Sequence, residues 1–217
     1  MISQLNDLTE KKYIKKKVNL INVGVGGQGV IRVTKILAWA ALLDEYQVRT
    51  AETHGMAQRG GTVISYLRFG TEITGPLIAR GNADIILAFE MSEALRVLNF
   101  AGPNTYLFVN DKIQIPPIVY QTGFKYPSNE EMQQQIKNSF DNAYFFNAHE
   151  LALKVGNNRV SNVVMLGVLS GSEKLPIKKE SLESSISRFV PIKAQEVNLN
   201  AFQLGIEKGK SIRRQFL

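Results

Sequence analysis

The residues of this chain that could do chemistry crowd into two glycine-rich stretches. The first is Gly24-Val25-Gly26-Gly27-Gln28-Gly29; the second is Glu52-Thr53-His54-Gly55-Met56-Ala57-Gln58-Arg59-Gly60-Gly61. Glycines at 24, 26 and 29 satisfy G-x-G-x-x-G, a spacing that lets backbone amides approach a phosphate at a helix amino terminus. Glu52 follows at the distance of a ribose-binding carboxylate in a dinucleotide fold. Arg59, beside paired glycines, is suited to hold a carboxylate or phosphate in a bidentate fork, or to bond nearby loop carbonyls. His54 is a candidate proton carrier near pH 7, although a lone histidine also serves as a hydrogen-bonded structural residue. Gln28 and Gln58 either bond ligand oxygens or pin the two loops together. Met56 reads as a packing or interface residue. His149 and the aromatics Tyr144, Phe145 and Phe146 read as sheet edge and core, with no functional role.

Both stretches follow strand-like runs, at residues 18–23 and 47–51. Between them Val30, Val33, Ile36, Leu37, Ala40 and Ala41 recur at helical intervals, which predicts a helix over 26–43. The expected unit is βαβ, with both loops at the carboxyl ends of adjacent parallel strands, where open α/β sheets bind ligands. Further strands are expected at 62–68, 85–89, 105–109 and 144–148, with a short return strand near 69–73. Ser92 is expected to cap a helix through residue 99. Ser128 and Glu131 have the spacing of a capping box. From residue 149 the chain reads as mostly helical, with helices over 150–155, 158–170, 178–189 and 198–213, the last capped by Asn198. The fold class is α/β: a three-layer α/β/α domain with a largely parallel, Rossmann-like sheet and a helical carboxyl-terminal region. Residues 1–17 read as a basic amino-terminal extension and 18–217 as a single domain, with its sheet core over about 18–148.

Composition sets limits on function. A chain of 217 residues with 44% apolar and 21% charged residues is ordinary globular protein. It has no cysteine, which excludes thiolate zinc sites and cysteine-ligated iron–sulfur clusters on this chain. Its two histidines are far apart, which argues against a histidine metal site, so any redox centre must be borrowed. The net charge of +7 sits largely at the two ends, in Lys11, Lys12, Lys15, Lys16 and Lys17 and in Lys208, Lys210, Arg213 and Arg214. Terminal basic runs suit solvated tails, and no nucleic-acid motif accompanies them. No apolar run reaches the roughly 20 residues that span a bilayer. The expectation is a cytoplasmic protein that binds neither nucleic acid nor membrane.

The paired loops, with Gly75-Pro76-Leu77-Ile78, then Ala83-Asp84-Ile85-Ile86-Leu87-Ala88-Phe89-Glu90 and Glu93-Ala94-Leu95, resemble the gamma-type subunit of 2-oxoacid:ferredoxin oxidoreductases. The likeness covers most of the chain after about residue 17 and is strongest over 20–95. Within that family it is most similar to the small (beta) subunit of the indolepyruvate branch; pyruvate and 2-oxoglutarate members carry Tyr-Gly-Pro-Glu in place of Thr53-His54-Gly55-Met56. The resemblance implies a larger alpha subunit that carries thiamine diphosphate and iron–sulfur clusters, with ferredoxin as electron acceptor and coenzyme A as acyl acceptor. On that reading this chain holds no cofactor by itself and is inactive, or nearly so, alone. Glu52, His54 and Arg59 would serve the reaction, and Gly24, Gly26, Gly27, Gln28, Gly29, Thr53, Gln58, Gly60 and Gly61 would surround a cofactor. A homodimer of the isolated chain stays open. So do two other readings: a stand-alone NAD(P)- or flavin-binding oxidoreductase, and a non-catalytic assembly subunit.

Overall fold

The computed structural model describes residues 17–54, 60–113 and 126–215; His54 is described in its backbone only. A six-stranded sheet in the order β2-β3-β1-β4-β5-β6 forms the centre. The strands are β1 (Val18–Val25), β2 (Gln47–His54), β3 (Thr62–Gly70), β4 (Ala83–Ala88), β5 (Ala101–Asn110) and β6 (Ala143–Phe146). Among the described residues seven α-helices cover it: α1 (Val30–Leu43), α2 (Met91–Arg96), α3 (Asn129–Lys137), α4 (Ala148–Lys154), α5 (Ser161–Gly171), α6 (Lys179–Phe189) and α7 (Gln195–Arg213). Strand β1 is buried along nearly its whole length because both its faces are covered. Leu20 joins the larger core beneath α1, α5 and α7, while Ile21 and Val23 join a second core beneath α2 and α3.

The α/β class and the helical second half are as expected, but the expected pairing of β1 with β2 is not. Strand β3 lies between them, antiparallel to both, from Val18 opposite Phe69 to Val25 opposite Thr62 on one side, and from Gln47 opposite Gly70 to His54 opposite Val63 on the other. The sequences explain the order. Strand β3 carries apolar residues on both faces, Val63, Leu67 and Phe69 on one and Ile64 and Tyr66 on the other, so it needs cover on both. Strand β2 exposes Arg49, Thr50, Glu52 and Thr53 and suits an edge. Strands β4, β5 and β6 continue from β1 in parallel.

Four boundaries differ for local reasons. Helix α1 starts at Val30 rather than residue 26, because Gly27 (φ 103°) and Gly29 (φ 83°) take left-handed backbone that a helix excludes. No return strand forms near 69–73: β3 itself runs to Gly70, and Arg68 then secures the following segment by donating to the carbonyls of Gly75 (2.8 Å) and Leu77 (3.1 Å). Helix α2 is capped by Glu90, not Ser92; the Glu90 carboxylate accepts from the Glu93 amide at 3.1 Å and from Ser92 Oγ at 2.6 Å. Asn198 lies inside α7, donating to the Ala194 carbonyl at 2.7 Å, and the helix begins at Gln195. The Ser128–Glu131 capping box is present as expected.

Helices α5 and α7 meet backbone to backbone. A methyl group on Gly167 would sit 2.2 Å from the Phe202 carbonyl oxygen, and one on Gly205 would sit 2.2 Å from that of Val164. Gly171 and Gly209 repeat the arrangement one turn on. Under the first glycine loop, Asn22 Nδ2 donates to Thr34 Oγ1 at 2.8 Å, a buried polar bridge that sets α1 on β1.

A basic cleft beside paired glycine loops

The two glycine stretches do meet. Gly26 donates its amide to the Gly61 carbonyl at 2.8 Å, and Gly60 donates to the Gly26 carbonyl at 3.4 Å. They reach the same end of the sheet because β3, which starts directly after Gly61, lies antiparallel beside β1. Gln28 Oε1 accepts from the Val25 amide at 2.8 Å, so its side chain braces its own loop. Gly24 is closely overlain, and a methyl group there would lie 2.6 Å from Gln28 Oε1 and 2.9 Å from Phe89 Cβ. A methyl group on Gly29 would lie 2.2 Å from Asn162 Nδ2, at the buried start of α5. The glycines thus allow both the turn and the close approach of α5.

Strand β3 separates Glu52 and Thr53 from β1. At about 4.8 Å per strand, two spacings put Glu52 about 10 Å from β1, one strand farther than a ribose carboxylate on a neighbouring strand would stand. Both residues are exposed on the edge strand. Gln58, Arg59 and the side chain of His54 lie outside the described residues, as does Met56.

An open cleft of about 950 Å³ runs along the first loop. One wall is Gly26, Gly27, Gln28, Gly29, Ile31 and Arg32. The other is built from distant segments: Asn110 at the end of β5 and Lys112 just after it, His149 in the first turn of α4, and Asn158, Arg159 and Asn162 ahead of and within α5. Phe89 and Met165 supply apolar floor. Asn110 shapes this wall directly, donating to the Phe89 carbonyl at 3.1 Å and accepting from the Ala148 amide at 2.9 Å. Arg32, Lys112 and Arg159 are exposed cations facing one space, and half-buried His149 stands among them. Between Asn110 and Lys112, burial and then the charge of Glu150 raise the carboxyl pKa of Asp111, with Lys208 pulling it down. The arrangement can bind an anion by combining loop amides with converging positive charge.

Sequence reasoning assigned none of the far wall to a site and gave His149 to the sheet edge. The signal available was positional: Asn110, Asp111 and Lys112 stand at and just after the carboxyl end of a parallel strand, the expected ligand end of such sheets.

The family described as pyruvate ferredoxin/flavodoxin oxidoreductase matches residues 19–208. The chain is 40% identical over 199 residues to the indolepyruvate oxidoreductase subunit IorB of Pyrococcus horikoshii, covering 91% of this chain and 98% of that protein. The subunit of the same name from Archaeoglobus fulgidus is 38% identical over 197 residues, at 91% and 98% coverage. Among solved structures, the gamma subunit of a keto/oxoacid ferredoxin oxidoreductase from Geobacter sulfurreducens superposes with a TM-score of 0.64 at 25% identity, over 89% of this chain and 99% of that one.

Proposed function

Because this chain belongs to the pyruvate ferredoxin/flavodoxin oxidoreductase family, we propose that it works as the small, cluster-free subunit of an arylpyruvate:ferredoxin oxidoreductase. The observation that carries this reading is the end-to-end likeness to small subunits named for indolepyruvate. The absence of cysteine agrees with it, since the clusters must then reside on a larger partner. When bound, coenzyme A supplies the acceptor thiol, and thiamine diphosphate and iron–sulfur clusters on the partner supply decarboxylation and the electron path.

This chain's contribution is a wall of the reaction chamber and a seat for phosphate groups. Support for that seat is electrostatic: Arg32, Lys112 and Arg159 line the same cleft as the Gly26 to Gly29 turn. Coenzyme A, with its diphosphate and 3′-phosphate, matches that charge; Phe89, Ile31 and Met165 offer apolar contact beside it. His149 adds a ring nitrogen at the same place. Glu52, His54 and Arg59 keep the second loop as a further candidate contact. Gly60 and Gly61, which end that stretch, are hydrogen-bonded to Gly26, itself part of the cleft.

Anaerobic co-purification with the thiamine-bearing subunit, followed by oxoacid- and coenzyme A-dependent reduction of a viologen dye, tests the reading. Indolepyruvate and phenylpyruvate are expected to be turned over ahead of pyruvate and 2-oxoglutarate, with negligible activity from the chain alone. A colourless chain that recruits no partner and binds NAD would overturn it.

A further inference from the structure

We infer that Asn110 is a positioning residue for the basic cleft, its buried amide tying the start of α4, and with it His149, to the segment packed on the first glycine loop. The inference deepens the proposed function and rests on it for the effect on coenzyme A.

Asn110 is the last residue of β5, lines the cleft and is 7% exposed. Its two amide atoms face different elements, and the partners fix which is which. A backbone N–H can only donate and a carbonyl can only accept. Oδ1 therefore takes the Ala148 amide at 2.9 Å, and Nδ2 gives to the Phe89 carbonyl at 3.1 Å. Phe89 continues the connection. Its own amide donates to the Val23 carbonyl at 2.8 Å, and its Cβ is what a methyl group on Gly24 would meet at 2.9 Å. Through one side chain, the strand that leads into the first loop is linked to the first residue of α4.

The helix itself does not need this bond. Asn147 caps α4, accepting from the Glu150 amide at 2.9 Å. What Asn110 adds is place: Ala148 is fully buried, and His149 follows it into the cleft. Lys112 stands two residues beyond Asn110 on a chain that is also pinned. The Asp111 amide donates to the Phe146 carbonyl at 3.1 Å, and its carbonyl accepts from Asn129 Nδ2 at 2.8 Å. An apolar side chain of similar size at 110 would fill the space but strand two buried backbone groups. The placing of Lys112 and His149 relative to the glycine turn thus depends on this amide.

A double-mutant cycle between Asn110→Leu and Lys112→Ala, run in the assembled oxidoreductase, tests this. Asn110→Leu is expected to raise KM for coenzyme A about tenfold with kcat little changed, the scale of one misplaced charged contact. Lys112→Ala is expected to raise KM several-fold in the wild-type background and hardly at all in the Asn110→Leu background. Asn110→Ser, too short to reach both partners but able to bond one, is expected to show the same coupling at smaller amplitude. It keeps the cycle readable if the leucine variant assembles poorly. Hydrogen exchange of the full-length chain adds a readout independent of the ligand. In Asn110→Leu the peptide covering residues 147–151 is expected to exchange about tenfold faster, while peptides from β1 and α7 keep their rates. Additive effects on KM, wild-type exchange at 147–151, or equal acceleration in every peptide overturns the inference. Faster exchange at 147–151, with KM indifferent to Lys112→Ala in the wild-type background, supports the tie and removes coenzyme A from the cleft. That outcome sinks the proposed phosphate seat alone.

Discussion

Gly29 answers two demands at once, a φ of 83° and room for Asn162, which a methyl group would approach to 2.2 Å. Gly27 answers one, a φ of 103° with open space beyond it. Gly29→Ala is therefore expected to cost about 2–4 kcal/mol and Gly27→Ala about 1–2, read as shifts in urea midpoint at constant slope. Glu93 makes a prediction of a different kind. Burial raises its carboxyl pKa above the ordinary 4.5; Thr62 and Arg96 lower it again, and Glu90 raises it. As pH climbs, the unfolded chain surrenders this proton before the folded one does. Stability is thus full below about pH 4.5 and is lost as pH rises through the folded value. Glu93→Gln removes that loss, so denaturation midpoints of the variant should fall less than those of the wild type between about pH 4 and about pH 7.

At the scale of elements, the glycine contacts between α5 and α7 decide how the cleft's far wall stands. A methyl group on Gly205 would meet the Val164 carbonyl oxygen at 2.2 Å and Gly167 Cα at 2.8 Å, neither of which can step aside. Gly205→Ala is expected to force the helices apart at a cost of about 2–4 kcal/mol, measured by chemical denaturation. It should also weaken coenzyme A binding, since Asn162, Ser161 and Met165 of α5 line the cleft. What was legible in the sequence divides along the same line. The first loop could be read because its glycines follow a buried apolar run and precede a helical period, both local signals. The capping box at Ser128 was equally local. The place of β3 was not legible, because an apolar strand after a polar one suits a hairpin at the edge and a hairpin inserted at the centre alike. Burial on both faces of β3 decided it, and burial belongs to the folded chain. Lys112, His149 and Arg159 each stand alone in sequence and become a cluster only because β5 ends where α4 and α5 begin.

For the whole molecule, the positive charge is not confined to the termini, since the cleft gathers Arg32, Lys112 and Arg159 from three separate segments. In the assembled enzyme, the double variant Lys112→Ala, Arg159→Ala is expected to raise KM for coenzyme A about tenfold or more with little change in kcat. Because the side chains are exposed, added salt should erode the wild-type advantage, which a KM series in potassium chloride would show. The seat for α7 also sets an order of events in time. Strands β1 to β6 and the first glycine loop are synthesised before α7, yet α5 lacks the neighbour that fills its glycine groove until α7 has followed. On the ribosome, where chains fold from the amino-terminal side, the sheet takes shape while the far wall of the cleft still waits for that helix. The cleft is thus completed only once α7 has been made, and a partner that reads it must wait for that helix.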